Sequence, residues 1–226
     1  MTELSTPAVN GLPPLLLALR QGTREVHAAI EVVPALSVLI TPALTVPAYV
    51  AALLGQARFH AAMQEALPAH LQRLGIDWPM PSMALAAARA DLAHYGVAPP
   101  RPVRAPGRWA GHGALGALYA LEGSLLGGRV IGRHIAKNLG VTETQGGAFF
   151  CGTTADDART RWRALCAVFQ AAPDAVHASA VAGARAAFGF FLHCVAPAAA
   201  AGPRTAASSS LSGATAPLAP GETAQL

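Results

Sequence analysis

The stretch GALGALYALEGSLLGGRVIGRHIAKNL, residues 113–139, decides how the chain reads. It holds no proline and its leucines recur at helical spacing, so it predicts one long helix. The glycines inside that helix are the anomaly. Gly113, Gly116, Gly123, Gly127, Gly128 and Gly132 each cost roughly 1 kcal/mol relative to alanine. Projected at helical period, Gly116, Ala120, Gly123 and Gly127 fall in a narrow arc and make a strip of bare backbone. Leu115, Leu118, Leu125 and Leu126 fall on the other side, where they are expected to pack into a core. A bare strip admits a neighbouring helix, as in a G-x-x-x-G contact, or something flat and rigid. The pair Gly123 and Gly127 alone favours the first. The full set of glycines, with Gly127 and Gly128 adjacent, favours a bound ligand and a helix able to bend.

The flanking sequence predicts further helices. Pro13-Pro14 opens one running to Ile30, and Thr45 before Val46-Pro47 opens another to about Leu74. Residues 79–108 carry repeated prolines around one short helix near 83–94. Beyond a loop at 140–152, Asp156 or Asp157 caps a helix reaching Ala171, and Pro173-Asp174 opens a last one to about Val195. The expectation is an all-α fold: a single multi-helix domain over 13–195, a flexible N-terminus over 1–12, and a disordered tail over 196–226 rich in alanine, proline and serine.

Composition removes several function classes. Of 226 residues, 53% are hydrophobic and 12% charged, against roughly 25% charged in ordinary domains, which excludes a chain disordered throughout. The net charge of +4 is spread thin, with no basic stripe for nucleic acid. The charge-free run between Glu31 and Arg58 could span a bilayer by count, but Pro34, Pro42 and Pro47 break it into pieces. No secretory n-region precedes Arg20, so the expectation is a cytoplasmic protein without a membrane span. Cys151, Cys166 and Cys194 are odd in number and share no C-x-x-C spacing, which argues against a disulfide framework or a structural zinc site.

The first helix carries a second signal. Leu15, Leu19, Val26 and Ile30 share a face, and His27 sits at its edge with Glu31 one turn later. A metal-binding imidazole needs a partner on its second nitrogen, and an i,i+4 carboxylate can supply it. Arg20 lies on the same side, about 10 Å earlier along the axis, where it could meet a carboxylate of a large flat ligand. Taken alone, this helix favours a boundary histidine beside a solvated acid. His60, His70, His94, His112, His177 and His193 show no spacing for a carboxylate-bridged di-iron bundle, and His134 and Tyr119 read as a surface and a core residue.

Together the two helices resemble a known family. Residues 19–27, LRQGTREVH, resemble the proximal-helix signature of haem oxygenases, in which a T-x-x-x-H segment supplies the iron ligand. Residues 119–128, YALEGSLLGG, resemble their glycine-rich distal helix, in the form found in bacterial members associated with bacteriophytochromes. Arg89 to Leu92 followed by Gly96, and the Trp162-Arg163 segment, recur in comparable places, so the likeness spans about 15–195.

The resemblance implies a haem oxygenase-like bundle with a kinked distal helix. It implies O2- and electron-dependent cleavage of haem, both substrate and cofactor, to biliverdin, CO and Fe(II). His27 would ligate the iron and Glu31 would orient it. Gly123, Ser124 and Gly127 would form the catalytic distal wall, with Gly128 beside them. Arg20, Arg159 and Arg163 would meet the propionates, and Phe188 would be a pocket aromatic. Electrons would come from a separate ferredoxin or flavoprotein reductase, and a bacteriophytochrome could receive the biliverdin. One departure stands out: many members carry an aspartate where this chain has Ser124, which also fits a non-catalytic haem-binding or haem-sensing protein.

Overall fold

Prolines open several of the helices and glycines close others. Pro14 stands at the head of α1 (Pro14–Glu31), where its missing N–H costs no hydrogen bond. A short α2 (Pro34–Ser37) and a 3-10 turn at Val38–Ile40 follow. Thr45 then caps α3 (Val46–Arg73) by accepting from Ala48 N at 3.4 Å. The charge-free run is therefore a short helix, a turn and the start of α3. After α4 (Ser82–His94) and a proline-rich connector comes α5 (Gly113–Leu139), which has the limits the sequence predicts and ends at Gly140 with φ +69°. A short α6 (Ala148–Cys151), α7 (Ala155–Gln170) and α8 (His177–Ala200) complete the order.

This computed structural model describes residues 11–152 and 155–200, and among them there is no β-strand. The expected all-α architecture is thus what the chain adopts. Nearly all of the expected N-terminal extension and most of the expected tail lie outside the described residues, but α8 runs to Ala200, past the expected end at Val195.

The last helix is the pillar of the bundle, packing on α1, α3 and α5. It can take three neighbours because its buried face is small: Ala180, Ala184 and Ala187 are fully buried. Glycines on the neighbours bring their backbones close. A Cβ on Gly116 of α5 would collide with the Ala180 carbonyl, and one on Gly22 of α1 would strike Val181. A Cβ on Gly55 of α3 would stand 2.6 Å from the Val195 side chain. Over residues 174–196 the chain is long and apolar enough to cross a membrane by length and composition, but half of that window is buried against the other helices.

Two apolar cores result among the described residues. The larger gathers Leu15, Leu19, Phe59, Trp109, Leu118 and Phe169 from α1, α3, α5, α7 and the connector. The smaller joins α3, α4 and α6 through Tyr49, Leu92, Phe149 and Phe150. Asp91 pins it: its carboxylate accepts from Ala148 N and Phe149 N, both at 2.8 Å, capping the first turn of α6.

Candidate functional site

α1 and α5 both rest on α8 but make no substantial contact with each other. The space left between them is a cavity of about 660 Å³, within the usual range for ligand sites. Arg20, His27, Ile30 and Glu31 of α1 line it, as do Gln56 and Phe59 of α3. The segment Tyr119 to Ile131 of α5 contributes Ala120, Gly123, Ser124, Leu126, Gly127 and Gly128, and Trp162, Phe188 and Phe191 come from α7 and α8.

The glycines of α5 divide into two groups. A Cβ on Gly113 would collide with the Arg108 carbonyl of the connector, with Gly183 of α8 next to it; Gly116 presses on the backbone of α8, and Gly132 presses on the Phe150 carbonyl. Around Gly123 and Gly127, a Cβ would meet nothing within 4 Å. Gly128 is intermediate, with Phe150 at 3.7 Å from its ideal Cβ position. The strip therefore serves packing at some positions and lies open on the cavity at others. Gly116, expected on the ligand strip, belongs to helix packing, because α8 crosses α5 at that level. Leu126, expected in the core with Leu115, Leu118 and Leu125, lines the cavity instead.

On the α1 wall, His27 Nδ1 lies 3.2 Å from Glu31 Oε1, with the side chains 54% and 66% exposed. One ring nitrogen thus faces a carboxylate, leaving Nε2 as the nitrogen available to a ligand. Phe188 packs edge-on against the imidazole, centroids 5.7 Å apart. Arg20 is exposed and is the one arginine among the described lining residues. Burial pushes the Tyr119 phenol above its ordinary range, while Thr23 and Arg20 beside it pull the other way. Ser124 donates its hydroxyl to the Leu121 carbonyl at 2.7 Å, closing it onto its own helix.

Two expected site residues are not brought to the cavity. Arg159 pairs with Asp156 on an exposed face, and Arg163 is exposed; neither lines the cavity. Trp162 takes the inward position of α7, which turns its neighbour Arg163 away. His134 is exposed, as expected.

The sequence reading missed three polar groups. Gln56 lines the cavity with its Oε1 buried and without a protein partner. His60, one turn on, is fully buried between Phe59 and Phe149, and neither ring nitrogen has a protein partner. Burial pushes its pKa down to about 4, so the ring is neutral. Two polar side chains at i,i+4 in an apolar helix were the available signal. Glu122 is the third, buried beside Gly123 and bonded to Arg161 and Trp78. Among the described residues, no cluster of three histidine, cysteine or acidic side chains could hold a bare metal ion.

Solved structures with this fold exist. The haem oxygenase of Neisseria meningitidis, determined with NO and CO bound, superposes with a TM-score of 0.68 at 24% identity, covering 81% of this chain and 91% of that one. The haem oxygenase of Leptospira interrogans gives 0.65 at 19% identity, covering 81% and 98%. The fold is that of the haem oxygenases. No protein-family model matches the sequence. No curated protein matches it significantly either. The likeness is therefore carried by the backbone, and the site residues must be argued from their own chemistry.

Haem fits those residues on three counts. The open backbone of Gly123 and Gly127 leaves room that any side chain would fill. The lining is mainly apolar, from Ile30, Phe59, Leu126, Phe188 and Phe191, and suits a porphyrin face. The donor set is one imidazole with one arginine nearby, which suits an iron already held by a macrocycle and bearing carboxylates.

Proposed function

We propose that this chain is a haem oxygenase that cleaves haem to biliverdin, CO and Fe(II). One observation carries the reading: His27 and the open backbone of Gly123 and Gly127 line the same cavity. When bound, haem supplies both the iron that activates O2 and the ring that is opened.

The chain's own residues supply position and electrostatics. His27 would offer Nε2 to the iron, while Glu31 would fix the tautomer and raise the basicity of the ring. A neutral imidazole is a weaker electron donor than a thiolate. Gly123 and Gly127 let the substrate lie against main chain, so the helix itself decides which edge is crowded. Arg20 would pair with a substrate carboxylate and limit how the ring can turn. Arg159 and Arg163, exposed and away from the cavity, leave that role to Arg20.

Electrons enter from a separate ferredoxin or flavoprotein reductase, and a bacteriophytochrome is the recipient that this reading assigns to biliverdin. The reading also places the protein in the cytoplasm.

A second reading draws on Ser124. Its hydroxyl is committed to Leu121, so it supplies the cavity with no free proton, which suits a protein that binds haem without turning it over. One experiment separates the two. Purified protein is loaded with haemin and its visible spectrum is followed after ascorbate is added. Conversion of the haem bands to a biliverdin spectrum, with CO trapped by a haem protein, supports the oxygenase. A stable haem spectrum under the same conditions supports the binder.

A further inference from the structure

Glu122 and Arg161 form an ion pair in which the acid is 2% exposed and the arginine 24%. Both carboxylate oxygens are engaged. Oε2 accepts from Arg161 Nε at 2.8 Å, and Oε1 accepts from Arg161 Nη2 and, at 2.9 Å, from Trp78 Nε1. Arg161 Nη2 also donates to the Pro79 carbonyl at 2.8 Å, and the guanidinium lies 5.6 Å from the centre of the Trp78 ring. One carboxylate therefore ties α5 to α7 and to the segment between α3 and α4.

Neither charged side chain lines the cavity, but the residue after each one does. Gly123 follows Glu122, and Trp162 follows Arg161. Tyr119, one turn before Gly123, packs its ring 6.0 Å from that of Trp162. A wall of bare glycine has no side chain that could adjust to a ligand. Its place is set only by where the backbone of α5 lies. A buried ion pair gains little stability over well-packed apolar groups, so stability alone does not account for this one. A two-pronged arginine–carboxylate contact does fix register between the elements that carry it.

We propose that Glu122 and Arg161 are positioning residues that set the gap between the Gly123 backbone and the Trp162 indole. Through that gap they decide how a flat substrate is seated and which of its edges meets the glycine wall. The identity of the substrate rests on the haem reading; the clamp does not.

The test compares the parent with Glu122→Gln, which keeps an acceptor for Trp78 but loses the ion pair, and with Arg161→Lys, which keeps the charge but loses the two-pronged contact. In the ligand-free protein, the amide NMR signals of Gly123 and Ser124 and the indole signal of Trp162 should shift, while those of Gly113 and Gly116 stay. With haemin, the Kd of Glu122→Gln should rise about tenfold. With ascorbate, its biliverdin should contain a changed ratio of ring-opened isomers, with Arg161→Lys in between. A variant with a lower Tm but parental signals, affinity and isomer ratio would overturn the proposal, because the pair would then be structural only. A parent that binds no haem overturns the haem reading, and the ligand-free signals still decide the clamp. If Glu122→Gln fails to fold, Arg161→Lys decides by the same three measurements.

Discussion

Gly183 of α8 lies against Gly113 of α5 so closely that a Cβ on Gly183 would stand 2.6 Å from the Gly113 Cα. The obstacle is backbone, which cannot swing aside. Gly183→Ala should therefore destabilise the fold by about 2 kcal/mol through overpacking, and lower Tm by roughly 5 °C. Thermal unfolding followed by circular dichroism checks this. An unchanged Tm would show that α5 and α8 are further apart than described.

Gly127 should respond in the opposite sense. A Cβ there meets nothing, so Gly127→Ala should stabilise the ligand-free protein by up to about 1 kcal/mol through helix propensity. Gly127→Leu should also fold, but its side chain would enter the cavity and block the ligand. The measurements are Tm without ligand and the haemin titration. A leucine variant that takes up haem and converts it at the parental rate would remove Gly127 from the cavity wall.

These opposite responses show where sequence reading stops. The limits of α5 were legible because proline is absent from it and Gly140 ends it. The His27–Glu31 pair was legible because four residues of helix bring the two groups together. Which glycine meets α8 and which meets the cavity was not, since a glycine's neighbour is chosen by another helix. The Glu122–Arg161 pair lies 39 residues apart in sequence, and no local period connects such groups. Arg159 and Arg163 were expected at the ligand because the resemblance puts cations there, and neither it nor the helical period of α7 tells which element each face meets.

Stability should fall in mild acid because of His60. Its folded pKa of about 4 lies below the ordinary 6.5, so the unfolded chain binds more protons between those values. The stability of the neutral buried ring is complete above pH 6.5 and is lost as the pH falls towards 4, by about 3 kcal/mol in total. Urea unfolding of the parent and of His60→Leu, at pH 7.5 and 4.5, isolates this contribution. The parent should lose about 2–3 kcal/mol more than the variant over that interval. Equal losses would mean that the ring is not held neutral.

The role given to His27 is the most exposed to failure. Its Nδ1 faces Glu31, its edge packs on Phe188, and no other described histidine lines the cavity. His27→Ala should therefore abolish turnover and change the iron spectrum, because no neighbouring side chain can replace the nitrogen. The apolar lining and Arg20 remain, so haem should still bind, at lower affinity. Added imidazole should occupy the vacated space and partly restore both spectrum and activity. Glu31→Gln should be milder, with roughly 10-fold weaker binding, because it alters the orientation and basicity of the ring without removing the ligand. The measurements are the haem spectrum and the biliverdin yield of each variant, with and without imidazole. A His27→Ala protein with the parental spectrum and yield would place the iron ligand elsewhere and remove the observation on which the functional reading stands.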